Sequence, residues 1–244
     1  MHKKPYAVFD IDGTIARNSL LQLIVRELAN RGHVRLATAI SIEKMLNDYR
    51  LRIADDNFGS YMKRAVDMLF QDMPEGLRVE EYDAAVQTVV SESITNTYLY
   101  TTELIKSLQA KGYFMIAISG SEFRAVENFA RLFNFDAWLG AVKYEIAGGK
   151  ITGKSDVVPY KKNDILRGMI HKFDLETRGS LAVGDTSSDI PMLEMAEQPI
   201  CFNPNQALFK EARERGWMVV VERKDMVYGL TKEGDAYKVT QTNV

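Results

Sequence analysis

Tyr6-Ala7-Val8-Phe9 is a continuous apolar run that stops at Asp10-Ile11-Asp12-Gly13-Thr14. With no polar alternation, it predicts a strand buried on both faces. The period then changes. From Ser19 to about Ser93 the apolar positions recur at helical spacing: Leu20, Leu23, Ile24 and Leu28, then Leu36, Ile40, Met45 and Leu46, then Phe58, Met62, Ala65, Val66 and Leu69. This block predicts three to five helices and no strand, with a turn at Pro74-Glu75-Gly76. Beyond about Thr101, strands and helices alternate. Thr101 is expected to cap a helix running to Lys111 and ending at Gly112, and Tyr113–Ser119 reads as a second buried strand. Ser121 with Glu122 is expected to open a helix through Phe133, and Gly148-Gly149 to turn a hairpin between Ala141–Ile146 and Ile151–Thr152. Further helices are expected at about Lys162–Lys172, Ser188–Ala196 and Ala207–Gly216, with strands at Ser180–Val183, Pro199–Phe202 and Met218–Val221. The last fifteen or so residues are polar and expected to fray.

Strands alternating with helices imply the α/β class: a doubly wound, Rossmann-like parallel sheet covered on both faces. The helical block falls between the first and second strands and is too large for one crossover. The expectation is an all-helical cap domain at 15–100, inserted into a core made of 1–14 and 101–244. Its hinges would lie near Ile15–Asn18 and Thr95–Thr101, where the helical period fades.

Composition narrows the function classes. Lys+Arg 31 against Asp+Glu 33 gives near-neutrality over 244 residues, without the basic excess of a nucleic-acid protein. No segment approaches the ~20 consecutive apolar residues of a membrane span. The N-terminus lacks a secretory apolar core, and the lone Cys201 has no internal disulfide partner. A cytoplasmic protein with neither membrane nor nucleic-acid partners is expected; the oligomeric state is not legible. His2, His33 and His171 show no metal-ligand spacing.

Three predicted strands end on functional groups: Asp10 and Asp12, then Ser119, then Asp185, each with a glycine nearby at Gly13, Gly120 or Gly184. In a doubly wound sheet, ligands bind beyond such carboxyl ends. Three carboxylates gathered there repel one another unless a cation sits among them, and oxygen ligands favour Mg²⁺. Asp10, Asp12 and Asp185 are the expected metal residues. A carboxylate can attack phosphorus to give an acyl phosphate, and Asp10, at the strand end itself, suits that role. Asp12 could protonate the leaving oxygen and then deprotonate water. Ser119 and the backbone N–H of Gly120 could donate to phosphoryl oxygens. Lys162, favoured over Lys161 by its spacing to Asp185, could set a positive charge against them, and Asp189 could hold Lys162 or a metal-bound water.

Asp10-Ile11-Asp12-Gly13-Thr14, Ser119, Lys162 and Gly184-Asp185-Thr186-Ser187-Ser188-Asp189, in that order, resemble the haloacid dehalogenase superfamily of phosphatases. The lysine-to-aspartate spacing and the large helical insert are similar to the subfamily containing phosphoserine phosphatase. That resemblance implies an Mg²⁺-dependent phosphomonoesterase acting on a small phosphorylated metabolite. A phosphomutase or phosphotransferase shares the same half-reaction, and a non-catalytic binding protein on the same fold would lack one of these residues. Phosphoserine phosphatases carry a glutamate nine residues after the nucleophile, where this chain has Ser19.

Overall fold

The computed structural model describes residues 3–51, 63–68, 72, 75–157 and 161–243; Phe58, Met62, Leu69 and Pro74 of the helical pattern lie outside them. The strands are β1 (Pro5–Phe9), β2 (Phe114–Glu122), β3 (Ala137–Ala147), β4 (Lys150–Val157), β5 (Glu176–Gly184), β6 (Gln198–Phe202), β7 (Met218–Arg223), β8 (Met226–Glu233) and β9 (Ala236–Asn243). Among the described residues they form one nine-stranded sheet of order β4-β3-β2-β1-β5-β6-β7-β8-β9. The pairings from β3 to β7 are all parallel, and β4, β8 and β9 are added antiparallel at the two edges.

Besides a helical stretch at 63–68, the helices described are α1 (Leu20–Asn30), α2 (Leu36–Arg50), α3 (Val79–Ser93), α4 (Leu99–Ala110), α5 (Phe123–Leu132), α6 (Lys162–Lys172), α7 (Ile190–Leu193) and α8 (Gln206–Arg215). They cover both faces because the central stretches of the parallel strands are apolar on both. In β1, Tyr6 and Val8 join the apolar cluster of Leu166, Met192, Leu193 and Leu208, beneath α6, α7 and α8. Ala7 and Phe9 point the other way, into a cluster containing Ile105, Val126 and Phe129. Leu20, Ile24, Leu28, Tyr82, Val86 and Val89 belong to that same cluster, so α1 and α3 of the insert share their apolar face with the sheet layer. Burial of these side chains, roughly 1.5–3 kcal/mol each, is what holds the insert against the sheet.

The structure departs from the sequence expectations at four places. Helix α4 begins at Leu99, not at a Thr101 cap, because the Glu222 carboxylate accepts from the N–H groups of Leu99 (3.2 Å) and Tyr100 (2.8 Å). Thr101 instead donates to the Thr14 carbonyl at 2.9 Å. Strand β2 continues through Ser121 to Glu122, whose carboxylate then caps α5 by accepting from Ala125 N–H at 3.0 Å. The helix expected over Ser188–Ala196 is a 3₁₀ turn, Ser187–Asp189, followed by the one-turn α7, which has Pro191 at its second position. The C-terminal residues expected to fray are paired as β8 and β9, where Leu230 faces Val239. The hairpin at Gly148-Gly149 forms as read, both glycines having positive φ (56° and 74°).

Burial pushes the Glu122 carboxyl up to about 7, against the Ala125 N–H bond that favours its charged form. Because the folded-state value is raised, the protonated group stabilises the fold at low pH, and that stability is lost as pH rises from about 4.5 through 7. Glu122→Gln keeps an acceptor for the cap without a charge. It should stabilise the protein by on the order of 1–3 kcal/mol above pH 7 and change little near pH 4. Thermal melts across that range check this; the same pH slope in both proteins would contradict it.

Candidate active site

The strand order runs outward from β1 in both directions, so the crevice between β1 and β5 is the topological switch point. Asp10 follows β1 directly, and its N–H donates to the Val183 carbonyl at 3.0 Å, pinning it beside the end of β5. Gly13 turns the chain back with φ +83°, and a Cβ there would strike the Asp185 carboxylate. A Cβ on Gly184 would likewise strike Asp189. These two glycines let the β1 and β5 loops approach until their carboxylates meet.

Lys162, at the first position of α6, is 2% exposed; its Nζ donates to Asp10 Oδ1 at 2.6 Å and to Asp189 Oδ1 at 2.5 Å. The other Asp189 oxygen accepts from the N–H groups of Asp185 (3.0 Å) and Thr186 (2.9 Å). Asp189 therefore braces the Asp185 loop and Lys162 together. Asp10, Asp185 and Asp189 offer oxygens within 4.8 Å of one another. Asp10 and Asp189 are buried and Asp185 half-buried, and among the described residues the one lysine bonded here, Lys162, reaches Asp10 and Asp189 but not Asp185. Burial pushes Asp185 well above the usual carboxylate range, and repulsion from Asp10 and Asp189 adds to the effect. Burial also pushes Asp10 up to about 8, although Lys162 opposes it. A divalent ion bound by oxygen would relieve both, so the donor set fits one. Asp10 and Asp185 are the better ligands, since both Asp189 oxygens are already engaged.

Asp12 is held apart from this cluster. Its Oδ1 accepts from Leu20 N–H at 2.5 Å, and its Oδ2 accepts from the hydroxyls of Ser119 (2.7 Å) and Ser121 (2.6 Å). Among the residues expected at the site, the structure gathers Asp10, Lys162, Asp185 and Asp189. Ser119 and Asp12 form a second set beside them. A Cβ on Gly120 would meet open space, so its backbone is accessible to a ligand. Ser19 is the N-cap of α1, its hydroxyl accepting from Gln22 N–H at 3.5 Å. Sequence reasoning missed Ser121; the signal was its i, i+2 relation to Ser119, which puts both hydroxyls on one face once β2 is extended. Burial pushes the Cys201 thiol up to about 12, which leaves it inert as a nucleophile.

With these groups gathered at one sheet edge, the likeness to known proteins becomes interpretable. The sequence profile of the haloacid dehalogenase-like hydrolases matches residues 7–194, which include every residue of the constellation. The chain belongs to this hydrolase family. A phosphoserine phosphatase from Methanocaldococcus jannaschii is 25% identical over 227 residues, spanning 92% of this chain and 95% of that protein. A histidinol-phosphatase from Neisseria meningitidis serogroup C is 24% identical, spanning 89% and 98%. Among solved structures, a phosphoserine phosphatase captured as an analogue of its phospho-aspartyl intermediate superposes with a TM-score of 0.65 at 23% identity, over 92% of this chain and 96% of that one. A protein of unknown function from Bordetella pertussis gives 0.70 at 19% identity, over 89% and 98%. The structural likeness carries the fold, and the family carries the hydrolase class. Among the described residues, no helix of this hydrolase is long and apolar enough to cross a membrane.

Proposed function

We propose that this chain is an Mg²⁺-dependent phosphomonoesterase that works through an aspartyl-phosphate on Asp10. The observation that carries the reading is the buried bridge from Lys162 to Asp10 and Asp189, set beside Asp185 where β1 and β5 diverge. Bound Mg²⁺, held by Asp10 and Asp185, would neutralise charge on the phosphoryl oxygens. Asp10 attacks phosphorus as the bond to the leaving oxygen breaks. Asp12 supplies that oxygen's proton, then takes one from the water that cleaves the acyl phosphate and releases inorganic phosphate. Burial raises the Asp12 carboxyl against its three hydrogen bonds, which suits a group that must carry a proton. Acid–base assistance of this kind is worth roughly 10²–10⁴-fold. Lys162, the Ser119 hydroxyl and the Gly120 N–H bind the phosphoryl oxygens and leave the leaving group unrecognised.

Leaving-group selection falls to the insert. We assign residues 15–100 to a helical cap and 1–14 with 101–244 to the catalytic core. The substrate is a small phosphorylated metabolite, and the full-length relatives named for phosphoserine and histidinol phosphate suggest an amine-bearing one. With Ser19 used as a helix N-cap, any ammonium of the substrate must find its partner elsewhere in the insert. The single buried Cys201 suits the cytoplasm as its compartment. The test is phosphate release from p-nitrophenyl phosphate, phosphoserine and histidinol phosphate. Turnover should require Mg²⁺, vanish in excess chelator, return when Mg²⁺ is added back, and be poorly supported by Ca²⁺, which prefers more ligands at longer distances. Undiminished turnover in chelator would refute the metal site.

A further inference from the structure

The two linkers between insert and core lie side by side. Arg17 N–H donates to the Asn96 carbonyl at 3.1 Å, Tyr98 N–H donates to Ile15 at 2.9 Å, and Ala16 bridges Thr97 antiparallel. The ribbon is anchored to the active-site turn, because Gly13 N–H donates to the Ala16 carbonyl at 2.8 Å. Its other anchor is Glu222, near the carboxyl end of β7 and distant in sequence from both linkers. The Glu222 side chain is 2% exposed, and among the described residues the groups bonded to its carboxylate come from a linker or the first turn of α4. Oε1 accepts from Arg17 Nη2 at 2.5 Å and from Leu99 N–H, and Oε2 accepts from Tyr100 N–H. Arg17 in turn donates from Nε to the Thr97 carbonyl at 3.0 Å and lies 4.3 Å above the Tyr98 ring.

A buried carboxylate of this kind is expensive unless its oxygens are fully engaged, so the sheet edge and the linkers are held in one arrangement. The same place touches the catalytic loop. Asn203 accepts from Glu222 N–H at 2.9 Å, and two residues later Asn205 N–H donates to the Asp185 carbonyl at 2.8 Å. A helix cap alone would need only the bonds to Leu99 and Tyr100. The Arg17 arm has no part in capping; it joins the first linker to the second and both to β7.

We propose that Glu222, acting through Arg17, is the positioning residue that sets the pose of the helical insert over Asp10 and Asp12. This rests on reading the insert as the cap of the site. Neither residue is among those assigned above to the phosphoryl group or the metal.

The test reads the pose directly. Spin labels on Lys44→Cys in α2 and Lys172→Cys in α6, both exposed, report the insert-to-core distance by pulsed electron resonance, and the native thiol is buried. Glu222→Ala should shift or broaden that distance by several ångströms. It should also raise KM for p-nitrophenyl phosphate at least about threefold with a smaller change in kcat. Arg17→Met, at a half-exposed side chain, should do the same while leaving the bonds to Leu99 and Tyr100 intact; it serves if Glu222→Ala does not fold. A folded variant with lowered melting temperature but the wild-type distance distribution and KM would overturn the proposal, reducing Glu222 to a helix cap. If the wild type hydrolysed no phosphomonoester, the proposed function would fail, while the distance measurement would still decide the clamp.

Discussion

Asp10→Asn should leave the fold intact and lower turnover at least about a hundredfold on any phosphomonoester, p-nitrophenyl phosphate included. The amide is nearly isosteric and can still accept from Lys162, but it cannot attack phosphorus. A good leaving group offers no escape, because the missing step precedes any question of protonation. The substitution also takes one ionisable carboxyl, already pushed up by burial, out of a crowded acidic cluster, so the variant without metal should be no less stable than the wild type. Steady-state kinetics with a thermal melt check both statements. Activity above about a hundredth of wild type would remove Asp10 from the role of nucleophile.

Lys162→Met is the second large effect, and it should appear in stability as well as in rate. The methionine replaces an ammonium that bridges Asp10 and Asp189 at 2% exposure. Breaking a buried pair by removing one partner typically costs about 3–5 kcal/mol, and here two carboxylates lose the same partner. Chemical denaturation in chelator should show a loss of that order. Excess Mg²⁺ should recover part of it, since the ion supplies positive charge to Asp10 from the other side. Turnover should stay at least about a hundredfold down even with Mg²⁺ present, because charge developing on the phosphoryl oxygens loses a preorganised partner. Lys162→Arg keeps the charge in a larger planar group and should fall between. A methionine variant within tenfold of wild type in rate would argue that Lys162 only balances charge.

What the sequence disclosed follows the range of the interactions responsible. Strand β1 was legible from Tyr6–Phe9 because a strand buried on both faces admits no polar residue, and its end was marked by Asp10. Asp185 was legible because it stands at the end of a strand that local pattern locates, whereas Lys162 was separated from Lys161 only by its spacing to Asp185. The start of α4 was not legible, because Glu222, the residue satisfying its first N–H groups, lies more than a hundred residues away. The continuation of β2 past Ser119 was hidden for a related reason: Glu122 does cap the following helix, and only the Ser121 bond to Asp12 and the pairing of Glu122 with Val142 show the strand running up to that cap. Strand β9 was missed because it pairs on one side only, at the sheet edge, where polar residues such as Lys238 cost nothing. The placing of Asp12 is the most instructive of these. Its spacing from Asp10 put both carboxylates at one strand end, but only the fold shows that hydroxyls from β2 and the N-terminus of α1 draw its side chain away from the acidic cluster.

The measurement that bears most directly on the reaction is capture of its intermediate. Enzyme mixed with p-nitrophenyl phosphate and Mg²⁺, quenched in acid within one turnover and digested, should yield a single phosphorylated peptide. The phosphoryl group should sit on Asp10, and the adduct should be absent from Asp10→Asn. Turnover without any adduct on Asp10, or an adduct on another residue such as Ser119, would contradict the mechanism.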